Sequence, residues 1–69
     1  MAHTTVKTLK ELQFMSEEMQ VAYIKKCVEY FDAKYGEPDK DGWKVKEEDE
    51  EEFGRLMEIF RYSRINDLY

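Results

Sequence analysis

Six consecutive carboxylate side chains are the most concentrated chemistry in this 69-residue chain, and they hold more negative charge than its net charge of −5. Clustered carboxylates can bind a cation, attract a basic surface, or complement the positive end of a helix dipole. Three or four acids are enough to fill the first turn of a helix. The remaining acids lie three or four residues from other acids, where like charges repel one another. The run is therefore either a solvated helix start or a docking surface for a basic partner. The candidate residues are Glu47, Glu48, Asp49, Glu50, Glu51 and Glu52.

The charge of the chain is unevenly distributed. Residues 1–46 hold eight lysines and eight acids, whereas residues 47–69 hold eight acids and three arginines. The excess negative charge thus lies in the last third, which disfavours binding to a phosphate backbone. The segment FRYSR, residues 60–64, interleaves aromatics with arginine, but in an acidic domain we interpret it as a helix end. We expect no direct nucleic-acid binding.

The segment EPDKDGWKVKEE, residues 37–48, offers oxygen ligands between two predicted helices. It resembles a degraded EF-hand loop: counted from Glu37, carboxylates fall at the third, fifth and twelfth positions and Gly42 at the sixth. It departs from the family pattern at the first, second and eighth positions, which are Glu, Pro and Lys. The resemblance implies calcium binding as a minor alternative, with three weak candidate ligands. These are Asp39, Asp41 and Glu48.

The sequence supplies few groups for catalysis. His3 is the only histidine, so no Ser-His or Cys-His pair is apparent. Cys27, the only cysteine, lies in an apolar helical stripe, which predicts a buried, unreactive thiol. We therefore expect a protein that is not an enzyme, binds no cofactor and resides in a reducing, cytoplasmic compartment. The longest apolar run, residues 21–24, is too short to span a bilayer, so no membrane association is predicted.

Helical periodicity defines the elements that must position these residues. A capping box at Thr8 and Glu11 predicts a short first helix, and Ser16 is a good N-cap for a second one that ends near Tyr35. A single helix from Thr8 to Tyr35 is the alternative. A last helix is predicted from Lys46 to Arg64, with a favourable i,i+4 pair between Glu51 and Arg55. The connecting pieces are an extended arm at 1–7, a loop at 36–45 and a tail at 65–69.

Apolar side chains follow one side of each long helix, within an arc of about 120° on the second helix. Three further side chains, adjacent to that stripe, widen its apolar arc to about 200°, and together with a loop tryptophan they form a candidate partner-binding face. The predicted stripes are Val21, Ile24, Cys27, Val28, Phe31 and Tyr35 on the second helix, and Phe53, Leu56, Met57, Ile59 and Phe60 on the last. The candidate face comprises Met19, Tyr23, Tyr30 and Trp43.

Together these patterns predict a single small all-α domain: a short N-terminal helix and two longer antiparallel helices, with a minor β pairing between residues 3–7 and 43–46. The predicted function is a non-catalytic protein-interaction module, a small acidic regulator or inhibitor that binds and occludes a partner protein. Small acidic chains of this kind are frequent among accessory factors of phages and mobile elements. Two further alternatives remain open: a nucleic-acid mimic built on residues 47–52, and a self-associating structural protein.

Overall fold

The structure, a computed structural model, describes residues 4–69 and folds them into three α-helices. Helix α1 spans Leu9–Gln13, α2 spans Glu17–Lys34 and α3 spans Glu50–Ile65, and a short 3₁₀ turn at Glu47–Asp49 precedes α3. No strand forms in this part of the chain. The predicted all-α class, with one short helix and two longer ones, is confirmed.

Helices α1 and α2 are separate because each has its own N-terminal cap. Thr8 Oγ1 accepts the Glu11 amide at 3.3 Å, while Glu11 Oε1 accepts the Thr8 amide at 3.0 Å, which completes the predicted capping box. Ser16 Oγ accepts the Met19 amide at 3.3 Å and begins α2. The chain therefore turns at residues 14–16, and the alternative of one continuous helix is wrong.

Helices α2 and α3 pack antiparallel, as predicted. The start of α2 lies beside the end of α3, since the Tyr62 hydroxyl donates to Gln20 Oε1 at 2.8 Å. The end of α2 lies beside the start of α3, since Lys34 Nζ is 2.8 Å from Glu52 Oε1. These two contacts fix the register of the pair, and therefore which side chains meet between the helices.

One core joins all three helices. Most of the predicted stripe residues are buried in it or pack against it, but Val21 is only half-buried and is not among the side chains that pack on the core. Helical periodicity did not predict the burial of two polar residues, Gln20 and Ser63. The Gln20 side chain has hydrogen-bond partners for both polar atoms: its Oε1 accepts from the Tyr62 hydroxyl, and its Nε2 donates to the Met15 carbonyl at 2.8 Å. The buried apolar set is Val6, Leu12, Ile24, Cys27, Phe31, Leu56 and Ile59.

Two predictions about the loop and the last helix need correction. Helix α3 begins at Glu50 rather than at Lys46, because residues 47–49 form the tighter 3₁₀ turn that is common at helix starts. The proposed β pairing of residues 3–7 with 43–46 does not form for residues 4–7, and residue 3 lies outside the described part of the chain. The loop is closed instead by two backbone hydrogen bonds of 3.1 Å between Asp39 and Gly42.

The predicted N-terminal arm is extended over residues 4–7, but it is docked on the helices. Val6 is 8% exposed and belongs to the core. Arg55 Nη1 donates to the Val6 carbonyl at 2.8 Å, and the Lys7 amide donates to the Tyr23 hydroxyl at 3.0 Å. The arm therefore covers part of the surface that α2 would otherwise expose.

Candidate protein-binding surface

Lys34 gathers part of the acidic run into one polar cluster. Its Nζ lies 2.8 Å from Glu52 Oε1 and 3.1 Å from Asp49 Oδ1. The Tyr30 hydroxyl donates to Glu52 Oε2 at 2.9 Å, and the Tyr35 hydroxyl donates to Glu52 Oε1 at 2.8 Å. Glu52 thus receives three hydrogen bonds from groups on or next to α2, and this cluster ties the start of α3 to the end of α2.

These contacts shift the pKa values of the cluster. The hydrogen bond to Glu52, followed by those to Tyr30 and Asp49, raises the pKa of Lys34 above its usual value. Burial acts to raise the pKa of Glu52, but the hydrogen bonds from Lys34, Tyr35 and Tyr30 outweigh it, so this pKa is lowered. Burial and the neighbouring Glu52 carboxylate raise the pKa of Tyr35 to about 12. Lys34 and Glu52 are therefore held in their charged forms at neutral pH.

The six acids divide into two groups. Asp49 and Glu52 pair with Lys34, and Glu51 Oε1 lies 3.2 Å from Arg55 Nη2 in the predicted i,i+4 pair. No ion pair within residues 4–69 involves the remaining three, which are exposed. Within the acidic run, the free carboxylates are those of Glu47, Glu48 and Glu50.

The candidate face on α2 is covered by the chain itself mainly at Tyr23, whereas Tyr30 is 43% exposed. The Tyr23 hydroxyl accepts the Lys7 amide, and Tyr23 and Tyr30 line a cleft of about 180 Å³ beside arm residues Thr5 and Val6. Burial raises the pKa of the half-buried Tyr23. Met19 is 56% exposed and does not line this cleft. The four aromatic and apolar residues of the candidate face thus do not form one continuous open surface.

Trp43 lies on a different surface, an open groove of about 550 Å³ between α2 and α3 that we call the Trp43 groove. Trp43 is fixed by its Nε1, which donates to the Gly36 carbonyl at 2.8 Å, and by edge-to-face packing on Phe31 at 5.3 Å between ring centroids. The groove has an apolar floor with charged groups at its rim. It is lined by Val28, Phe31, Asp32, Trp43, Met57, Phe60, Arg61 and Arg64.

The two arginines give the Trp43 groove a positive rim in an otherwise acidic protein. Arg61 and Arg64 are exposed, and no ion pair within the described residues includes either of them. Among the described residues, Asp32 is the only carboxylate that lines the groove. The arrangement suits a ligand that combines an apolar body with one or more anionic groups.

Of these groove residues, the sequence placed only Trp43 on the candidate partner-binding face. The other apolar ones were predicted as core, and the arginines as partners of the helix dipole. The sequence did contain a pattern that could have indicated a shared surface. Four of the groove residues fall within an arc of about 100° on α3, at the edge of the core stripe: Met57, Phe60, Arg61 and Arg64. Only the placement of Trp43 beside that edge turns it into a concave surface, and no periodicity predicts where a loop side chain docks.

The weak calcium ligands are not brought together. In residues 4–69 no group of three or more Asp, Glu, His or Cys side chains is arranged to hold a metal ion. Asp39 Oδ1 instead accepts the Asp41 amide at 2.9 Å, which stabilises the loop turn. Asp39, Asp41 and Glu48 are therefore not gathered into such a group in this structure.

Three other findings concern the rest of the described chain. Cys27 is buried in the core, and burial raises the pKa of its thiol, as expected for an unreactive cysteine. Within the described part of the chain every buried side-chain nitrogen and oxygen has a hydrogen-bond partner. None of the helices in that part combines the length and the apolar character needed to cross a membrane.

No protein-family model matches this chain, and neither a curated protein nor a solved structure matches it. Its function is therefore inferred from its surface chemistry.

Proposed function

We propose that this protein is a non-catalytic protein-interaction module, a small acidic regulator that binds a segment of a partner protein in the Trp43 groove. The single observation that carries this proposal is the groove itself. Five apolar side chains line an open concavity, and two arginines without ion pairs in residues 4–69 border it. Trp, Met and Arg are enriched in protein interfaces, and Trp and Arg are among the commonest anchor residues.

A protein segment fits this groove better than a small molecule does. Small-molecule sites place a few polar groups within an enclosed pocket to orient the ligand. Here the charged groups stand at the rim, the groove is open, and no buried polar side-chain atom in residues 4–69 lacks a hydrogen-bond partner. An apolar side chain of a partner would cover the floor, while carboxylates beside it would pair with the arginines.

The free carboxylates Glu47, Glu48 and Glu50 have a separate role in this proposal, which is to steer a partner with a basic surface. The acidic run begins close to Trp43, which lines the groove, and this position supports the steering role. Trp43 is four residues before Glu47, and its ring centroid lies 5.8 Å from that of Phe53 in the first turns of α3. Nucleic-acid mimicry is less well supported, because three of the six acids are neutralised by Lys34 and Arg55. A strip of three charges is short for a copied phosphate backbone.

The proposed mechanism of regulation is occlusion, in which the protein covers part of its partner's surface through the Trp43 groove. A cytoplasmic, reducing location is part of the proposal, supported by a single cysteine that is buried in the core.

Affinity capture from a lysate of the source organism, followed by mass spectrometry, tests the proposal with three variants. Arg61→Glu/Arg64→Glu reverses the groove rim, and Glu47→Gln/Glu48→Gln/Glu50→Gln removes the free carboxylates. Glu29→Gln/Glu37→Gln/Glu58→Gln removes equal charge from exposed positions elsewhere and serves as the control. We expect the groove variant to lose the partner, the carboxylate variant to weaken it at low salt only, and the control to retain it. A partner that the groove variant retains would refute the proposal.

A further inference from the structure

We propose that the groove receives a second copy of this chain, which inserts its Phe14 side chain and pairs its Glu17 and Glu18 with Arg61 and Arg64. This inference rests on the proposed function, because it names a partner for the same groove.

Phe14 is the most exposed of the large apolar side chains in residues 4–69, at 82%. It lies in the turn between α1 and α2, and its amide donates to the Glu11 carbonyl at 3.2 Å. The next residue, Met15, packs against the core, and its carbonyl is held by Gln20. The turn is therefore anchored on both sides of Phe14, and the ring is presented to solvent rather than to its own groove.

A lone exposed apolar side chain is ordinary, but the charges around Phe14 complement the groove. Glu17 and Glu18 follow it by three and four residues in the first turn of α2, and both are exposed. No ion pair within the described residues involves either of them. One surface thus offers an aromatic ring with two free carboxylates, and the other an aromatic-lined concavity with two free guanidinium groups.

The acidic run is the densest group of carboxylates on this chain, but it lacks an apolar anchor. Its nearest large apolar side chain, Phe53, packs on Phe31 and Tyr35 with ring centroids 5.7 and 5.3 Å apart. Phe53 cannot leave this cluster without opening the core. The Phe14 turn therefore fits the groove better than the acidic run does.

The Phe14 turn and the Trp43 groove are different surfaces of one chain. If each of two copies inserts its Phe14 turn into the groove of the other, a closed two-fold dimer forms. If only one copy does so, its own groove stays open and further copies can add. In either case self-association fills the groove, so a foreign partner that binds there must compete with it. Dilution or a high-affinity partner would then open the groove for binding.

Trp43 provides a direct readout, because it is the only tryptophan and it lines the groove. We would measure its emission together with the mass by sedimentation equilibrium over a wide range of protein concentration. We expect the emission to shift to shorter wavelength as the mass rises. Phe14→Ala should weaken self-association about tenfold or more, whereas Met19→Ala, a control that truncates a neighbouring exposed side chain, should change it less. Unchanged circular dichroism would show that both variants fold.

Charge reversal tests the pairing, and mixing the two reversed variants controls for effects on folding. Glu17→Arg/Glu18→Arg and Arg61→Glu/Arg64→Glu should each remain monomeric, because like charges then meet at the contact. An equimolar mixture of the two should associate again, since the contact between the reversed turn and the reversed groove rim joins opposite charges. A wild type that is monomeric at all concentrations, or a mixture that stays monomeric, would overturn the inference.

These outcomes are separable from the failure of the proposed function. If the wild type is monomeric but reversal of the groove rim still abolishes capture of a foreign protein, only the second-copy inference fails. If reversal of the rim changes neither capture nor mass, both fail.

Discussion

At the residue scale, Lys34 forms ion pairs with two of the six carboxylates of the acidic run. Its ammonium group lies within 3.1 Å of both Asp49 and Glu52, and Tyr30 and Tyr35 complete the cluster around Glu52. The pairing draws two of six carboxylates toward α2 and leaves others in solvent. The run is therefore both a structural element and a source of free charge.

The cluster makes stability depend on pH in a defined direction. Because the pKa of Glu52 is below 4.5, the folded chain binds fewer protons than the unfolded chain between these values, and the unfolding free energy rises with pH there. The contribution of Glu52 is thus complete above about pH 4.5 and is lost as pH falls through its folded pKa. Lys34 has the opposite sign: its contribution is complete below pH 10.5 and is lost as pH rises through its elevated pKa.

Glu52→Gln should therefore lower the unfolding free energy at neutral pH and flatten its decline on acidification. Thermal melts between pH 2 and pH 7, together with Glu47→Gln as a control at an exposed carboxylate, measure this. An acid limb that is equally steep in wild type and Glu52→Gln would contradict the role of the cluster.

Arg55 holds the N-terminal arm through one hydrogen bond, which its Nη1 donates to the Val6 carbonyl. Arg55→Met should cost about 1–2 kcal/mol of unfolding free energy, because the Val6 carbonyl loses its charged donor. The Lys7 amide, which bonds Tyr23, should also exchange faster with solvent. Chemical denaturation and amide exchange test both effects. Arg61→Met, at an exposed arginine, is the control, and an equal loss in both variants would mean that the contact with Val6 contributes little.

At the element scale, α3 has three local features that the spacing of its apolar residues does not predict. It starts through a 3₁₀ turn, contains an exposed glycine, and is followed by a residue with positive φ, Asp67. At its end the Leu68 amide donates to the Ser63 carbonyl at 2.9 Å and the Asp67 amide to the Arg64 carbonyl at 3.3 Å. This is the Schellman pattern, in which glycine is the usual residue at the position of Asp67.

Asp67→Gly should raise the unfolding free energy by about 0.5–1 kcal/mol. Asp67 has φ +54°, where an L-residue is strained and glycine is not, and its charge opposes the negative end of the helix dipole. Asp67→Asn removes only the charge and should give a smaller gain. Denaturant midpoints for the three proteins provide the comparison. A loss of stability in Asp67→Gly would show that its side chain has an unrecognised role.

Gly54→Ala should stabilise α3 by about 0.5–1 kcal/mol, because glycine is a poor residue inside a helix. The added methyl group would meet no atom within 4 Å, so nothing in residues 4–69 opposes the change. The stability gain is read from denaturant unfolding. A loss instead of a gain would contradict the packing described for α3.

At the scale of the whole molecule, the chain separates two kinds of surface. Free carboxylates cluster at the start of α3, whereas the Trp43 groove presents two arginines near its end. The core beneath them is small and is shared by the arm, all three helices and the Trp43 loop. Both surfaces are therefore displayed by one core, as the proposed covering of a partner requires.

Much of this architecture could be predicted because helices are encoded by local sequence patterns. The caps at Thr8 and Ser16, the apolar stripe through Ile24 and Phe31, and the Glu51–Arg55 pair all follow from spacing of a few residues. The Lys34 cluster, the docked arm and the groove could not be predicted, because they depend on long-range contacts such as Lys34 with Glu52. Gln20 was missed for a related reason: its burial depends on Tyr62, which is 42 residues away.

Site-specific photo-crosslinking from the Trp43 groove tests the central claim most directly. A photoreactive amino acid would replace Asp32, an exposed groove residue to which no binding contact is assigned, in one variant and Glu58, an exposed residue of α3 that does not line the groove, in a matched control. After irradiation in lysate, we predict that position 32 yields a discrete adduct, with a partner protein or with a second copy of this chain, and that position 58 does not. Equal adducts from both positions, or none from position 32, would contradict the assignment of the groove as a protein-binding surface.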